Sequence, residues 1–106
     1  MPKYLQQVSY TTEGLKGLLK GGGSKRRAVI AEMAKSAGGK LEAFYFAFGE
    51  SDVYAIIEAP DNTSAAALAL APNAIGALRI KTTVLLTPEE VDQATKKTIS
   101  YHPPEA

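Results

Sequence analysis

The chain has 106 residues, which is the size of one domain with a single hydrophobic core. It is 45% hydrophobic and 22% charged, and its net charge of +1 gives no field that would steer it to nucleic acid or to an anionic membrane. It contains no cysteine and a single histidine, His102, so disulfides, thiolate chemistry and a site built from several histidines of one chain are excluded. We expect no metal and no cofactor.

The first ten residues lack the long apolar run of a signal peptide. No segment approaches the roughly 20 apolar residues that a membrane span requires. A cytoplasmic location is the expectation that follows from these two features.

The first predicted element is a strand over Lys3–Tyr10, whose alternation divides its side chains between two faces. One face carries Tyr4, Gln6, Val8 and Tyr10, and the other carries Leu5, Gln7 and Ser9. A short helical turn capped by Thr11 or Thr12 follows, and the glycines at 21–23 end it. Ser24 is the predicted N-cap of a longer helix that runs to about Ala37, before Gly38 and Gly39.

Two aromatic and β-branched runs, 40–48 and 53–59, predict a β-hairpin joined at 49–52. Simple alternation along its first strand gives Phe44, Phe46 and Phe48 a common face. An alanine-rich helix is predicted over 63–71, where Pro72 should kink or end it.

The last predicted strand, 78–86, is followed by the chain's strongest local signature, a capping box with Thr87 as the cap, Pro88 at the first helical position and Glu90 closing the box. The short final helix should end near Lys96 and Lys97, leaving 98–106 as a tail and 1–97 as the domain.

This order of elements predicts an α+β fold: a ferredoxin-like βαββαβ sandwich with an antiparallel four-stranded sheet and a short extra C-terminal helix. Both main helices then cover one sheet face and leave the other open. Six apolar side chains are candidates for that open face: Leu5, Phe44, Phe46, Phe48, Ile56 and Leu85. We expect a homodimer or higher homo-oligomer that covers them, with Tyr4 and Tyr45 in the core.

Four stretches together resemble the GYD domain proteins: KYLQQVSYT, GGKLEAFYFAFGESDVYAIIEAPDN, the alanine-rich helix and LRIKTTVLLTPEEV. The resemblance covers about residues 3–95 and implies a bacterial or archaeal protein of the dimeric α/β-barrel superfamily. The family takes its name from a Gly-Tyr-Asp stretch in the hairpin turn; Gly49 and Asp52 fit it, and Ser51 stands where the tyrosine would be. The superfamily includes cofactor-free monooxygenases, haem enzymes, muconolactone isomerases and ligand-binding regulators, so the resemblance does not choose a function.

Two groups of residues are candidate binding sites. Free amides at a helix start attract anions, and a weak anion site is predicted at Gly22, Gly23, Ser24, Lys25 and Arg26. A small-molecule cleft beside the open face is predicted from Gln7, Ser9, Asp52, Tyr54, Arg79 and Lys81. The alternatives are a flexible loop with a solvated basic turn for the first group, and ion pairs and hydrogen bonds between subunits for the second.

Three functions remain open from sequence. The first is a homo-oligomeric protein that binds a small organic or anionic ligand in this cleft. The second is a cofactor-independent enzyme of monooxygenase, isomerase or cyclase type, and the third is a purely structural oligomerisation module. His102 lies in a proline-rich tail, a poor position for the haem or metal ligand found in some superfamily relatives, and the dispersed basic residues do not favour nucleic acid.

Overall fold

The computed structural model describes residues 1–105. Residues 1–105 form four strands and four helices. They are β1 (Lys3–Tyr10), α1 (Thr12–Gly21), α2 (Gly23–Ser36), β2 (Lys40–Phe46), β3 (Val53–Glu58), α3 (Asn62–Ile75), β4 (Leu78–Leu85) and α4 (Pro88–Thr95).

The strands form one antiparallel sheet in the order β2-β3-β1-β4. The helices α2 and α3 lie on the same face of this sheet, since Ala34 of α2 and Leu68 of α3 pack in one cluster with Tyr4 and Ile57. The fold is the predicted ferredoxin-like α+β sandwich. The division of β1 into two faces is also confirmed, because Tyr4, Gln6 and Val8 are buried below the helices.

The prediction that Phe44 and Phe46 lie on the open face is wrong. A β-bulge between Leu41 and Ala43 leaves Glu42 without a partner on β3 and reverses the alternation that follows. Phe44 therefore packs against Val53 and Ala55 of the core. Beyond the bulge, the open face carries the β2 side chains that simple alternation assigned to the other face. Tyr45, expected in the core, is 72% exposed and lies opposite Tyr54 on the open face.

Phe46 is on the helix side with Phe44, its ring against the start of α2, where a Cβ on Gly23 would approach it to 2.9 Å. Phe48 belongs to neither face. β2 ends at Phe46, two residues earlier than predicted, and the hairpin connection is the six residues 47–52. Phe48 is fully exposed on this loop.

The helices differ from the prediction at two ends. α2 begins at Gly23 with Gly22 as its N-cap, so Ser24 lies inside the helix and does not cap it. Pro72 does not end α3, which continues to Ile75 and stops at Gly76 in the left-handed conformation. The buried Pro72 ring has no N–H to donate to the Leu68 carbonyl one turn earlier. The capping box at Thr87 is confirmed.

The interior consists of two clusters of buried side chains. The first joins sheet to helices, with Tyr4 beside Ala34, Ala65 and Leu68. The second is made of four sheet residues, and no helix supplies any of its buried members. They are Val8, Val53, Ala55 and Leu78. The helix layer is therefore well packed over one end of the sheet and sparse over the other.

The residues after β4 project from this body. Every described residue from Leu86 to Glu105 is exposed. The chain measures 55 × 35 × 23 Å and has a radius of gyration of 16.9 Å, against about 13 Å for a compact domain of this length.

Candidate functional site

Four of the six predicted cleft residues meet in a groove on the open face. Gln7 and Ser9 of β1 lie opposite Lys81 and Arg79 of β4. The groove has a volume of about 520 Å³, and its other wall includes Glu50 and Ser51 of the hairpin connection. We call it the open-face groove.

The other two predicted residues do not line this groove. Tyr54 lies opposite Gln7 on the neighbouring strand. The Oδ2 atom of Asp52 accepts a hydrogen bond of 2.8 Å from the Tyr10 backbone N–H, and the Asp52 N–H donates to the Val8 carbonyl. Asp52 therefore ties the start of β3 to β1, and its carboxylate is engaged within the fold.

The predicted anion site is only partly assembled. Gly22, at a φ of +85°, joins α1 to α2, and no side chain caps the first turn of α2. Ser24 and Lys25 are exposed, whereas Arg26 turns inward. Its guanidinium lies over the Tyr10 ring, with Cζ 5.9 Å from the ring centroid. Arg26 is therefore half-buried beside Tyr10, whereas Ser24 and Lys25 form an exposed turn.

A second cleft lies on the helix side of the sheet, above the sparsely covered cluster. A cavity of about 30 Å³ sits between sheet and helices and is bounded by Gln6, Met33 and Phe44 among others. Leu78 lines this cavity and also two wider grooves. One groove, of about 450 Å³, separates α1 from α2; the other, of about 550 Å³, separates α2 from α3. We call these three adjoining spaces the helix-side cleft.

Two buried donors border the helix-side cleft without a hydrogen-bond partner. Within residues 1–105, the buried side-chain nitrogens with no partner are Gln6 Nε2 and Arg26 Nε. Gln6 is 5% exposed and lines the central cavity, while its Oε1 accepts a hydrogen bond of 3.0 Å from Thr82 Oγ1. Arg26 lines both wider grooves. A buried polar group without a partner costs about 1–3 kcal/mol, so both donors call for an acceptor.

Tyr10 adds a phenol to the same region, since it lines the central cavity and the groove between α1 and α2. Burial raises the pKa of Tyr10 above its ordinary value, and the adjacent Arg26 guanidinium partly offsets this rise. The phenol is therefore protonated at neutral pH and can donate a hydrogen bond.

Comparison with known families agrees with this architecture. The family model described as the GYD domain matches residues 4–95, which is nearly the whole chain. The chain belongs to the GYD domain family. Neither a curated protein nor a solved structure was found to match it.

Three further observations concern this GYD domain. Ser51 of the hairpin connection is 5% exposed and lines the open-face groove. Among the described residues, no three carboxylate, histidine or cysteine side chains gather where they could hold a metal ion, and His102 is exposed in the tail. No helix within residues 1–105 has the length and apolar character to cross a membrane.

Sequence reasoning missed Gln6 as a site residue. A signal was present, because alternation placed this amide between Tyr4 and Val8 on the helix-facing row of β1. A buried polar side chain among apolar neighbours requires partners, and only one of the two polar atoms of the Gln6 amide finds one here.

Proposed function

We propose that this GYD domain is a homodimer that binds a small organic molecule in the helix-side cleft. The observation that carries the proposal is the pair of orphaned donors, Gln6 Nε2 and Arg26 Nε, on adjoining spaces that share Leu78. A ligand with suitably placed acceptors would satisfy both. The open-face groove has no buried donor or acceptor of this kind within the described chain.

The walls of the cleft indicate the chemical class of the ligand. Val29, Met33 and Leu68 give the groove between α2 and α3 an apolar surface. Arg26 supplies a fixed positive charge, and guanidinium groups pair well with carboxylates and other planar anions. Volumes of about 450 and 550 Å³ are within the usual range for small-molecule sites. These walls fit a ligand that has an apolar body, aromatic or aliphatic, and one anionic or carbonyl group.

The dimer is supported by the side chains on the open face. This face carries Leu5, Tyr54, Ile56 and Leu85, as the sequence predicts, and the bulge adds Tyr45. In the free chain Tyr45 is 72% exposed and Tyr54 is 37% exposed. A second copy of the same face would remove these side chains from water, at about 25 cal/mol for each Å² of apolar surface buried.

One observation favours the enzymatic alternative, a cofactor-independent isomerase, cyclase or monooxygenase. Tyr10 is a protonated phenol beside the fixed charge of Arg26 and lines the central cavity. A neutral donor next to a cation can stabilise the oxyanion of an enolised substrate and return a proton to it. Turnover of a bound molecule, abolished in Tyr10→Phe, would establish this alternative.

The binding site can be tested with 1-anilinonaphthalene-8-sulfonate, an apolar aromatic anion whose fluorescence reports its transfer from water. We expect the folded protein to bind it, and Arg26→Gln to weaken the affinity about tenfold because a charge-assisted contact is lost. The matched control is Arg27→Gln, which removes an exposed arginine one residue away. Near-UV circular dichroism of each variant verifies the fold.

A second matched pair separates the two clefts. Gln6→Met removes the orphaned amide of the helix-side cleft, whereas Gln7→Met alters the open-face groove. We expect only Gln6→Met to change the affinity for the dye. Loss of binding in Gln7→Met and Arg79→Gln, with normal binding in Gln6→Met and Arg26→Gln, would place the site on the open face instead. Native mass spectrometry of the purified protein would show a natural ligand that co-purifies and the number of subunits.

A further inference from the structure

The segment from Leu86 to Glu105, which we call the C-terminal arm, is exposed throughout and has no packing partner within residues 1–105. It contains four large hydrophobic side chains that are 46–76% exposed. They are Leu86, Val91, Ile99 and Tyr101. No residue of α4 is buried.

An arm of this kind needs a surface to be stable. Its helix, α4, has eight residues, and an isolated helix shorter than about 12–15 residues is marginal in water even with good propensity. The capping box at Thr87 and Glu90 fixes where α4 begins, but capping alone does not supply the burial that holds most helices. Val91 and Ala94, three residues apart, give α4 one apolar side that a surface could cover.

Charge indicates which surface the arm fits. The first turn of α4 is acidic, with Glu89 and Glu90, and Asp92 follows. On β4, Arg79 and Lys81 are exposed, and neither forms an ion pair within residues 1–105. The basic end of β4 therefore complements the acidic start of the arm.

The acidic start of the arm cannot reach the basic end of β4 in its own chain. Arg79 lies seven residues before Leu86 along an extended strand, a distance of about 23 Å. Glu89 lies three residues after Leu86, so the chain between them spans at most about 11 Å. In a two-fold dimer with antiparallel β4 strands, the end of one β4 lies beside the start of the other. Each arm then meets the basic end of the partner's β4.

We propose that the C-terminal arm docks on a second copy of this chain. The apolar side of α4 and Leu86 pack at the start of the partner's β4, and Glu89 and Asp92 lie against Arg79 of the partner subunit. Two-fold symmetry makes this contact twice in each dimer. The inference rests on the proposed homodimer, to which it adds the relative direction of the two sheets.

A photocross-linking experiment tests the contact directly. The 106-residue chain with p-benzoylphenylalanine in place of Val91 is prepared unlabelled and uniformly ¹⁵N-labelled, and the two preparations are mixed and allowed to exchange subunits before irradiation. We expect a cross-linked dimer with one light and one heavy chain, and a peptide map that joins position 91 to residues 78–85. Arg79→Glu should lower the yield about tenfold, and the added exchange Glu89→Arg should restore it. Arg27→Glu is the control for a charge reversal elsewhere on the surface.

The other possible outcomes distinguish a failure of the arm contact from a failure of the dimer proposal. Light scattering on the same samples gives the mass in solution. A dimeric mass with no cross-link between chains, or with position 91 joined to its own chain, would overturn the arm contact and leave the dimer intact. A monomeric wild-type protein at micromolar concentration would overturn both.

Discussion

Asp52 shows how one side chain secures the end of the sheet nearest the two clefts. Its Oδ2 accepts the Tyr10 backbone N–H at 2.8 Å, and its backbone pairs with Val8 on one side and Ala47 on the other. Since β1 ends at Tyr10 and α1 begins two residues later, this carboxylate also fixes the point where the chain leaves the sheet. Asp52, which the sequence suggested as a ligand-binding residue, thus has a structural role.

We expect Asp52→Ala to lower the free energy of unfolding by about 2 kcal/mol, because the charge-assisted hydrogen bond from the Tyr10 N–H is lost. Urea denaturation followed by circular dichroism measures this change. The control is Glu50→Ala, which removes an exposed acid from the same hairpin connection. Equal free energies of unfolding for the two variants would contradict a structural role for Asp52.

At the scale of elements, the start of α1 packs against Ala77, the residue just before β4. The two backbones approach so closely that a side chain at Gly14 would not fit between them. The Ala77 carbonyl accepts hydrogen bonds from the Thr11 N–H at 3.1 Å and from Thr11 Oγ1 at 3.0 Å. A Cβ on Gly14 would overlap this carbonyl oxygen, whereas one on Gly17 would meet no atom within 4 Å. Both glycines look alike in sequence, as weak points of a short helix.

We therefore expect opposite effects from two identical substitutions. Gly14→Ala should destabilise the protein by about 2 kcal/mol, because α1 must move away from Ala77. Gly17→Ala should stabilise it by up to about 1 kcal/mol through helix propensity alone. Thermal unfolding of the two variants side by side measures the difference. Stabilisation by both would mean that α1 does not approach Ala77 closely.

The elements also show what could be predicted from sequence and what could not. Alternation predicted the faces of β1, because Lys3–Tyr10 is regular, and the capping box predicted the start of α4. Alternation failed after Leu41, because the bulge at Glu42 is stabilised by pairing with distant strands and by an ion pair with Lys3, and neither is visible locally. The helix-side cleft escaped prediction for a similar reason, since it depends on how far apart α2 and α3 lie.

For the whole molecule, the corrected assignment of the β2 side chains to the two sheet faces changes which residue we expect to stabilise a dimer. Tyr45 lies on the open face opposite Tyr54, whereas Phe48, an interface candidate from sequence, lies on the loop 47–52. We expect Tyr45→Asp to convert a dimer to a monomer at micromolar concentration, because a charge would be buried between the sheets without a partner. Phe48→Asp is the control and should leave the mass unchanged.

Sedimentation velocity distinguishes these results. A wild-type monomer would remove the basis for open-face association. Dissociation by Phe48→Asp, with Tyr45→Asp still dimeric, would assign the interface to the hairpin connection instead.

The unfilled space beneath the helices also has a mechanical consequence. The cavity of about 30 Å³ between the helices and the sheet cluster of Val8, Val53, Ala55 and Leu78 is volume that disappears when the chain unfolds. Hydrostatic pressure favours the state of smaller volume, so compression should act on this end of the sandwich before the well-packed end around Tyr4. A molecule occupying the space would make the folded chain less compressible and would resist that collapse.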